Sequence, residues 1–328
     1  MSPQIEALRW VVTGAAGFLG SQLVDELLLR GQMVLALDNL EWGRVENIQR
    51  HSRQSLYRFA QIDIRDFGNL TAVLSDFGPD CVAHLAALHY IPAAMADPVS
   101  TVAINVLGTQ AVLTAALVAG ATRIWFASTG DVYGPSEEAH LETEIPRPFN
   151  IYGLTKLQSE QLIEIAAQSH PECNFVIGRL FNLYGPGETN PHLIPEIMRQ
   201  LAEKADAPLR LGNLWPRRDL TPVRDAARAI VEMLLRSRPG VTIANVGTGH
   251  THSIDEVLGI LRKLTGAELR VEIDPLKVRS VERSCLQANI DRLSKMIGWG
   301  PHSDLTRGLS ELVASISLRY DAVLGDKP

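Results

Sequence analysis

Tyr152 and Lys156 are four residues apart, which places them on one face of a helix. A lysine held near a phenol favours the phenolate, so the hydroxyl can give and take a proton near neutral pH. A second motif, Thr13-Gly-Ala-Ala-Gly-Phe-Leu-Gly20, opens the chain with glycines at 14, 17 and 20. Small residues there let a backbone turn tightly against a pyrophosphate, and the helix that follows offers free N–H groups and the positive end of its dipole. Asp38 ends a second apolar run about 20 residues after the glycines, where an acid binds the adenosine ribose. A carboxylate there accepts from both ribose hydroxyls and repels a 2′-phosphate, which favours NAD over NADP. Arg44 is the nearby residue able to take a phosphate instead. A dinucleotide site and a tunable phenol in one chain imply hydride transfer coupled to proton transfer.

These groups need a scaffold, and the first half of the chain alternates short apolar runs with longer amphipathic ones. Strands are predicted at Leu8–Thr13, Met33–Leu37, Leu56–Ile62, Cys81–Leu85, Arg123–Ala127 and Asn174–Gly178. Helices are predicted at Phe18–Arg30, Phe67–Phe77, Val99–Ala119 and Asn150–Gln168, the last carrying the Tyr/Lys pair behind the capping residue Asn150. Such alternation implies an α/β fold with a doubly wound, Rossmann-type parallel sheet, whose ligands sit at the carboxyl ends of the strands. After Tyr184 the regularity fails. The stretches 185–191 and 213–219 look like loops, with helices at Leu193–Ala202, Arg224–Arg236, Ile254–Leu264 and Leu305–Ser317. Residues 1–184, with parts of 207–250, are expected to bind the dinucleotide; 185–206 and 251–328 are expected to form mainly a smaller substrate-binding lobe.

The chain has 328 residues, 46% hydrophobic and 21% charged, with a net charge of −6. That is enough for a large core, and no basic run tracks phosphates, so nucleic acid is not an expected partner. The N-terminus is too short and polar for a signal peptide, no apolar run spans a bilayer, and the odd cysteines Cys81, Cys173 and Cys285 lack metal-ligand spacing. A cytoplasmic protein without a metal site is expected. Cys81 fits a buried strand as a small hydrophobe.

On these motifs the chain resembles the extended short-chain dehydrogenase/reductases, within the nucleotide-sugar epimerase/dehydratase group. The likeness covers nearly the whole length. It also rests on Asp38-Asn39-Leu40, Asp63-Ile64, His84-Leu-Ala-Ala87, Asn105-Val-Leu-Gly-Thr109, Ser128-Thr-Gly-Asp-Val-Tyr-Gly134, Arg179-Leu-Phe-Asn-Leu-Tyr-Gly-Pro186 and Arg217-Arg-Asp219. The resemblance implies that NAD stays bound through the cycle. It places Gly14, Gly17, Phe18, Leu19, Gly20, Asp38, Asn39, Asp63, Ile64, Leu85, Ala86, Ala87, Asn105, Ser128, Tyr152 and Lys156 around it, with Asp63 and Ile64 by the adenine. Lys156 would hold the nicotinamide ribose and lower the Tyr152 pKa. Thr129 would hydrogen-bond the sugar hydroxyl being oxidised, and Tyr152 would take its proton. Asn182, Arg218 and Arg279 match residues that hold the diphosphate of a nucleotide-diphosphate sugar. His89 and Tyr90 face the expected sugar, while His84 packs at its strand end. Family members are commonly homodimers built through two helices, here Val99–Ala119 and the Tyr152 helix.

The fate of the 4-keto sugar turns on the residues after Thr129. Dehydratases of the group carry a glutamate where this chain has Asp131, and 4-epimerases usually have small or neutral residues. A carboxylate there can remove the C5 proton that the ketone acidifies. Asp131 therefore makes a 4,6- or 5,6-dehydratase the first expectation and a nucleotide-sugar 4-epimerase the alternative. Decarboxylation, ketoreduction and a non-catalytic NAD sensor stand behind these.

Overall fold

The structure is a computed structural model that describes residues 7–188, 190, 192–203, 207–278, 283–301 and 304–324. The predicted alternation closes into one parallel sheet. Its strands are β1 (Arg9–Thr13), β2 (Met33–Asp38), β3 (Tyr57–Gln61), β4 (Cys81–His84), β5 (Arg123–Thr129), β6 (Asn174–Leu180) and an edge strand, Gly240–Val246. The order across the sheet is Gly240–Val246, β6, β5, β4, β1, β2, β3. The order of connection reverses between β1 and β4, and a crevice opens there at the carboxyl ends of the strands.

Neighbouring residues on each strand serve opposite faces. Val12, Val34 and Trp125 pack with Leu23 and Ile230 on one side. Val11, Leu35, Val82 and Phe126 pack with Leu74 and Ile163 on the other. Both faces are covered by helices, which is why these strands read as continuous apolar runs. Cys81 lies wholly buried in β4, as expected of a small hydrophobe.

A separate core, including Ile197, Leu209, Leu220, Leu258, Leu261 and Leu309, forms beyond the strands' carboxyl ends. Its framework corrects one expectation. Part of the supposed loop 213–219 belongs to a strand, Arg217–Pro222, which pairs with Asn182–Tyr184, Thr251–Ser253 and Cys285–Leu286. The polar alternation hid it. Asp219 is fully buried, yet its carboxylate is satisfied by the Thr248 amide and hydroxyl and the Gly249 amide at 2.6–2.9 Å.

A second correction concerns composition, not length. The helix predicted at Val99–Ala119 is observed as one helical run of 21 residues, Pro98–Val118. It is long and apolar enough to cross a membrane, contrary to the expectation that no run is, and its apolar window is 44% buried. Its centre, Ala103–Leu107, widens into a π-turn. The Asn105 carbonyl there accepts the hydroxyls of Thr109 at 2.5 Å and Ser159 at 2.8 Å, tying this helix to Ile151–Ser169.

Candidate active site

A cavity of about 840 Å³ runs along the carboxyl ends of the strands, from the Gly14–Gly20 turn to the outer lobe. At its inner end the backbone is built for close approach. Gly14 has φ +70°, and a Cβ there would stand 2.8 Å from the Ala86 nitrogen. A Cβ on Gly20 would overlap the Gly14 carbonyl oxygen. The helix Phe18–Leu29 starts from Gly17 with no side-chain cap and no acid in its first turn, so its N–H groups face the cavity unshielded. This cradle fits a dinucleotide pyrophosphate.

Asp38 closes the cradle from β2. Its carboxylate accepts from the Ala16 amide at 2.9 Å and the Leu40 amide at 2.8 Å. Burial raises its pKa, and the two amides oppose that rise. Asn39 donates to Asp63 at 3.0 Å, and Arg65 grips Asp63 with two bonds of 2.7–2.8 Å. That fork holds the Asp63 carboxyl well below the usual carboxylate range. Phe18, Leu19, Ile64, Leu85, Ala86, Ala87 and Ser128 also line the cavity.

Asn105 does not line it. Its side chain is buried, accepts from the Leu88 amide at 2.8 Å, and donates to the Leu88 carbonyl at 3.0 Å and Thr155 at 3.1 Å. It shapes the Leu85–Leu88 wall from behind. His84 plays a similar part. Thr13 accepts the Leu85 and Ala86 amides, donates to His84 Nδ1 at 2.7 Å, and His84 Nε2 meets Thr109 at 3.0 Å. Burial pushes the imidazole down to about 3, so it stays neutral.

The acid–base groups meet where β5 ends. Asn150 caps the helix Ile151–Ser169 by accepting from the Gly153 amide at 2.8 Å. A Cβ on Gly153 would collide with the Asp131 carbonyl oxygen, so glycine lets the two walls touch. Thr129, Asp131, Tyr152 and Lys156 all line the same stretch of cavity. Lys156 is buried, its Nζ 4.7 Å from the Phe126 ring centre, and desolvation pushes it down to about 7 while Glu160 pulls it up. Tyr152 departs from expectation. Burial and the Asp131 charge raise its pKa, and only the Thr129 hydrogen bond lowers it. Among the described residues no hydrogen bond joins Lys156 to the phenol.

Sequence reasoning missed the supports of this centre. Ser128 donates to Glu160, which Arg179 grips at 2.7 and 3.0 Å; Arg179 also donates to the Tyr133 hydroxyl at 2.9 Å. Arg283 lies 3.4 Å from Asp131 in an ion pair. Arg179 stands in a motif quoted above, but nothing in the spacing of Glu160 or Arg283 announces these contacts.

The outer cavity is lined by Asn182, Arg218, His89, Tyr90, Asn190 and His192. His89 Nε2 accepts from Asn190 Nδ2 at 2.9 Å, which ties the segment after β4 to Asn190. Arg218 donates to the Arg217 and Arg283 carbonyls at 2.9 and 3.1 Å rather than pairing with Asp219. Arg279 lies outside the described residues.

Comparison with known proteins agrees with this geometry. The sequence model of the NAD dependent epimerase/dehydratase family matches residues 10–247. The chain is 31% identical to the UDP-glucose 4-epimerase of Lacticaseibacillus casei, covering 89% of this chain and 92% of that one. It is 32% identical to a dTDP-glucose 4,6-dehydratase of Streptomyces griseus, over 93% and 92% of the two chains. The UDP-glucose 4-epimerase of Thermus thermophilus, solved in complex with NAD, superposes with a TM-score of 0.83 at 31% identity, over 94% of this chain and 99% of that one.

Proposed function

This chain belongs to the NAD-dependent epimerase/dehydratase family, and from that premise we propose that it inverts C4 of a nucleotide-diphosphate sugar. NAD-dependent modification of a nucleotide sugar is common to the relatives; the choice of epimerisation over dehydration is the step taken here. UDP-glucose 4-epimerases recur among the relatives, with the dehydratase beside them. The observation that carries the choice is the Asp131–Arg283 ion pair at 3.4 Å. A carboxylate held by a buried guanidinium is not free to swing onto the C5 hydrogen, as a dehydratase base must.

Bound NAD supplies a reversible two-electron acceptor. The chain does the rest. The Gly14–Gly20 turn and Asp38 would hold the dinucleotide, and Lys156 would hold its nicotinamide ribose. Thr129 would orient the C4 hydroxyl, donating and accepting at once. Tyr152 Oη would take the C4 hydroxyl proton and give it back after the keto sugar has turned. The positive charge of an oxidised nicotinamide near Tyr152 would favour the phenolate and oppose the burial effect. Asn182 and Arg218 would hold the diphosphate, a planar guanidinium suiting its oxygens.

Residues 1–184 with parts of 207–250 would thus serve the cofactor, and 185–206 with 251–328 mainly the sugar nucleotide. A homodimer through the two helices would cover the exposed Val99, Leu107, Leu154 and Ile165; light scattering tests it. The reaction is tested by incubating the protein with UDP-, dTDP- and GDP-hexoses in deuterium oxide and following the sugars by NMR. C4 epimers with the C5 proton retained support the proposal. A 4-keto-6-deoxy sugar carrying C5 deuterium, or a 5,6-ene, would refute it.

A further inference from the structure

We propose that Arg283 is a positioning residue that decides the fate of the oxidised sugar: by holding Asp131 in an ion pair, it keeps the carbon beside C4 from losing its proton. The inference rests on the C4-oxidation reading above. Arg283 enters from the C-terminal lobe and is only 5% exposed. It donates to the Gly130 carbonyl at 3.2 Å and the Tyr133 carbonyl at 2.7 Å, on either side of Asp131 in sequence. Its guanidinium lies 4.2 Å over the Phe149 ring, just before the helix that carries Tyr152. One plane therefore clasps the turn after β5, the approach to the catalytic helix, and the Asp131 carboxylate at 3.4 Å.

Asp131 is divided by this arrangement. Its Oδ1 faces Arg283, while Oδ2 stands 3.5 Å from the Thr129 hydroxyl. The Asp131 amide also donates to that hydroxyl at 3.1 Å, which fixes the carboxylate's approach. A sugar whose C4 oxygen lay between Thr129 and Tyr152 would have C3 and C5 within reach of this carboxylate were it free to turn. A ketone at C4 acidifies both carbons. If Asp131 acted there, a C–H bond would break and its proton would pass to the carboxylate. The electron pair would form an enolate with its charge on O4. Return of a solvent deuteron would exchange the carbon; departure of the C6 hydroxyl with a proton would give water and an alkene. No oxidant is needed beyond the C4 oxidation itself. Arg283 on Oδ1 and Thr129 on Oδ2 hold the carboxylate in place, so it does not swing onto the carbon to take that proton.

The readout is deuterium at C3 or C5 per C4 inversion, in deuterium oxide, using the full-length protein with NAD. Wild type should invert C4 with little exchange. Arg283→Gln should raise exchange per inversion by about tenfold or more, the lower range of general-base effects. Arg283→Lys keeps the charge and should stay near wild type. Adding Asp131→Asn to Arg283→Gln should return exchange to the wild-type level, a rescue that a merely structural role would not produce. Should Arg283→Gln fail to fold, Phe149→Leu loosens the guanidinium from a residue 45% exposed, and should raise exchange several-fold. Exchange unchanged in a folded Arg283→Gln, or in Phe149→Leu when that stands in for it, overturns the inference. Exchange at every turnover of the wild type, or no C4 inversion at all, instead overturns the epimerase reading.

Discussion

The two ends of the cavity are built differently. The cofactor end comes from consecutive strand–turn–helix units, so the cradle of Gly14, Gly17 and Gly20 and its closing Asp38 lie within one short stretch. Its hydrogen bonds are largely made by backbone amides, as at Ala16 and Leu40. The sugar end is gathered from separated segments that include His89, Asn182, Asn190, His192 and Arg218, with Arg283 paired to Asp131. It is held mainly by side chains, such as His89 on Asn190 and Arg283 on Asp131. A backbone cradle tolerates few substitutions but binds one invariant ligand. A side-chain wall can change its substrate by changing one residue.

Between the two ends stands Tyr152, and its loss should be the largest effect of all. Tyr152→Phe is expected to cut turnover by about a hundredfold or more, with NAD retained, as measured by steady-state kinetics and cofactor content. Wild-type turnover would mean the phenol is not the proton carrier.

The backbone end should fail next. Gly20→Ala drives a methyl into the Gly14 carbonyl. Overpacking of this kind costs about 1–3 kcal/mol, and calorimetry should show NAD affinity lost along with thermal stability. Asp38→Ala should act more mildly, weakening NAD roughly tenfold, the scale of one charge-assisted bond, and relaxing discrimination against NADP. Equal affinity of the wild type for the two cofactors would remove that role from Asp38.

At the sugar end, Arg218→Ala should raise KM for the nucleotide sugar several-fold while leaving NAD content untouched. An equal fall in both would erase the contrast between the ends.

The smallest expected effect is on stability. Lys156 has a folded pKa lowered from 10.5 to about 7. Above the folded value the native state binds fewer protons than the unfolded chain, so stability rises with pH between about 7 and 10.5. Cofactor-free protein should therefore gain melting temperature from pH 7 to 9, and Lys156→Met should flatten that gain. Melting curves for the two proteins decide it.

The cofactor end was legible because its chemistry is local. A turn that needs glycine, a helix that needs a cap and a strand that ends in an acid leave their marks within a few residues. The predicted helix at Phe67–Phe77 matches its observed bounds, and the first strands shift by a residue or so. The same local logic misplaced Asn105. Its amide matches a cofactor motif, yet the fold turns it into the back of the wall, where it satisfies Leu88. It also missed Arg217–Pro222, since a short strand with a buried acid carries no apolar alternation.

By itself the sequence determined the doubly wound sheet and the glycine turn with Asp38, and it singled out Thr129, Tyr152 and Lys156, because periodicity and short motifs encode local geometry. Only the tertiary structure decided how charged those groups are and what restrains them. The phenol's pKa depends on how deeply it is buried and on Asp131 across the cavity. Asp131 in turn is held in place by Arg283, brought from a segment far along the chain. Electrostatic interaction and desolvation follow distance in space, which a linear sequence does not measure.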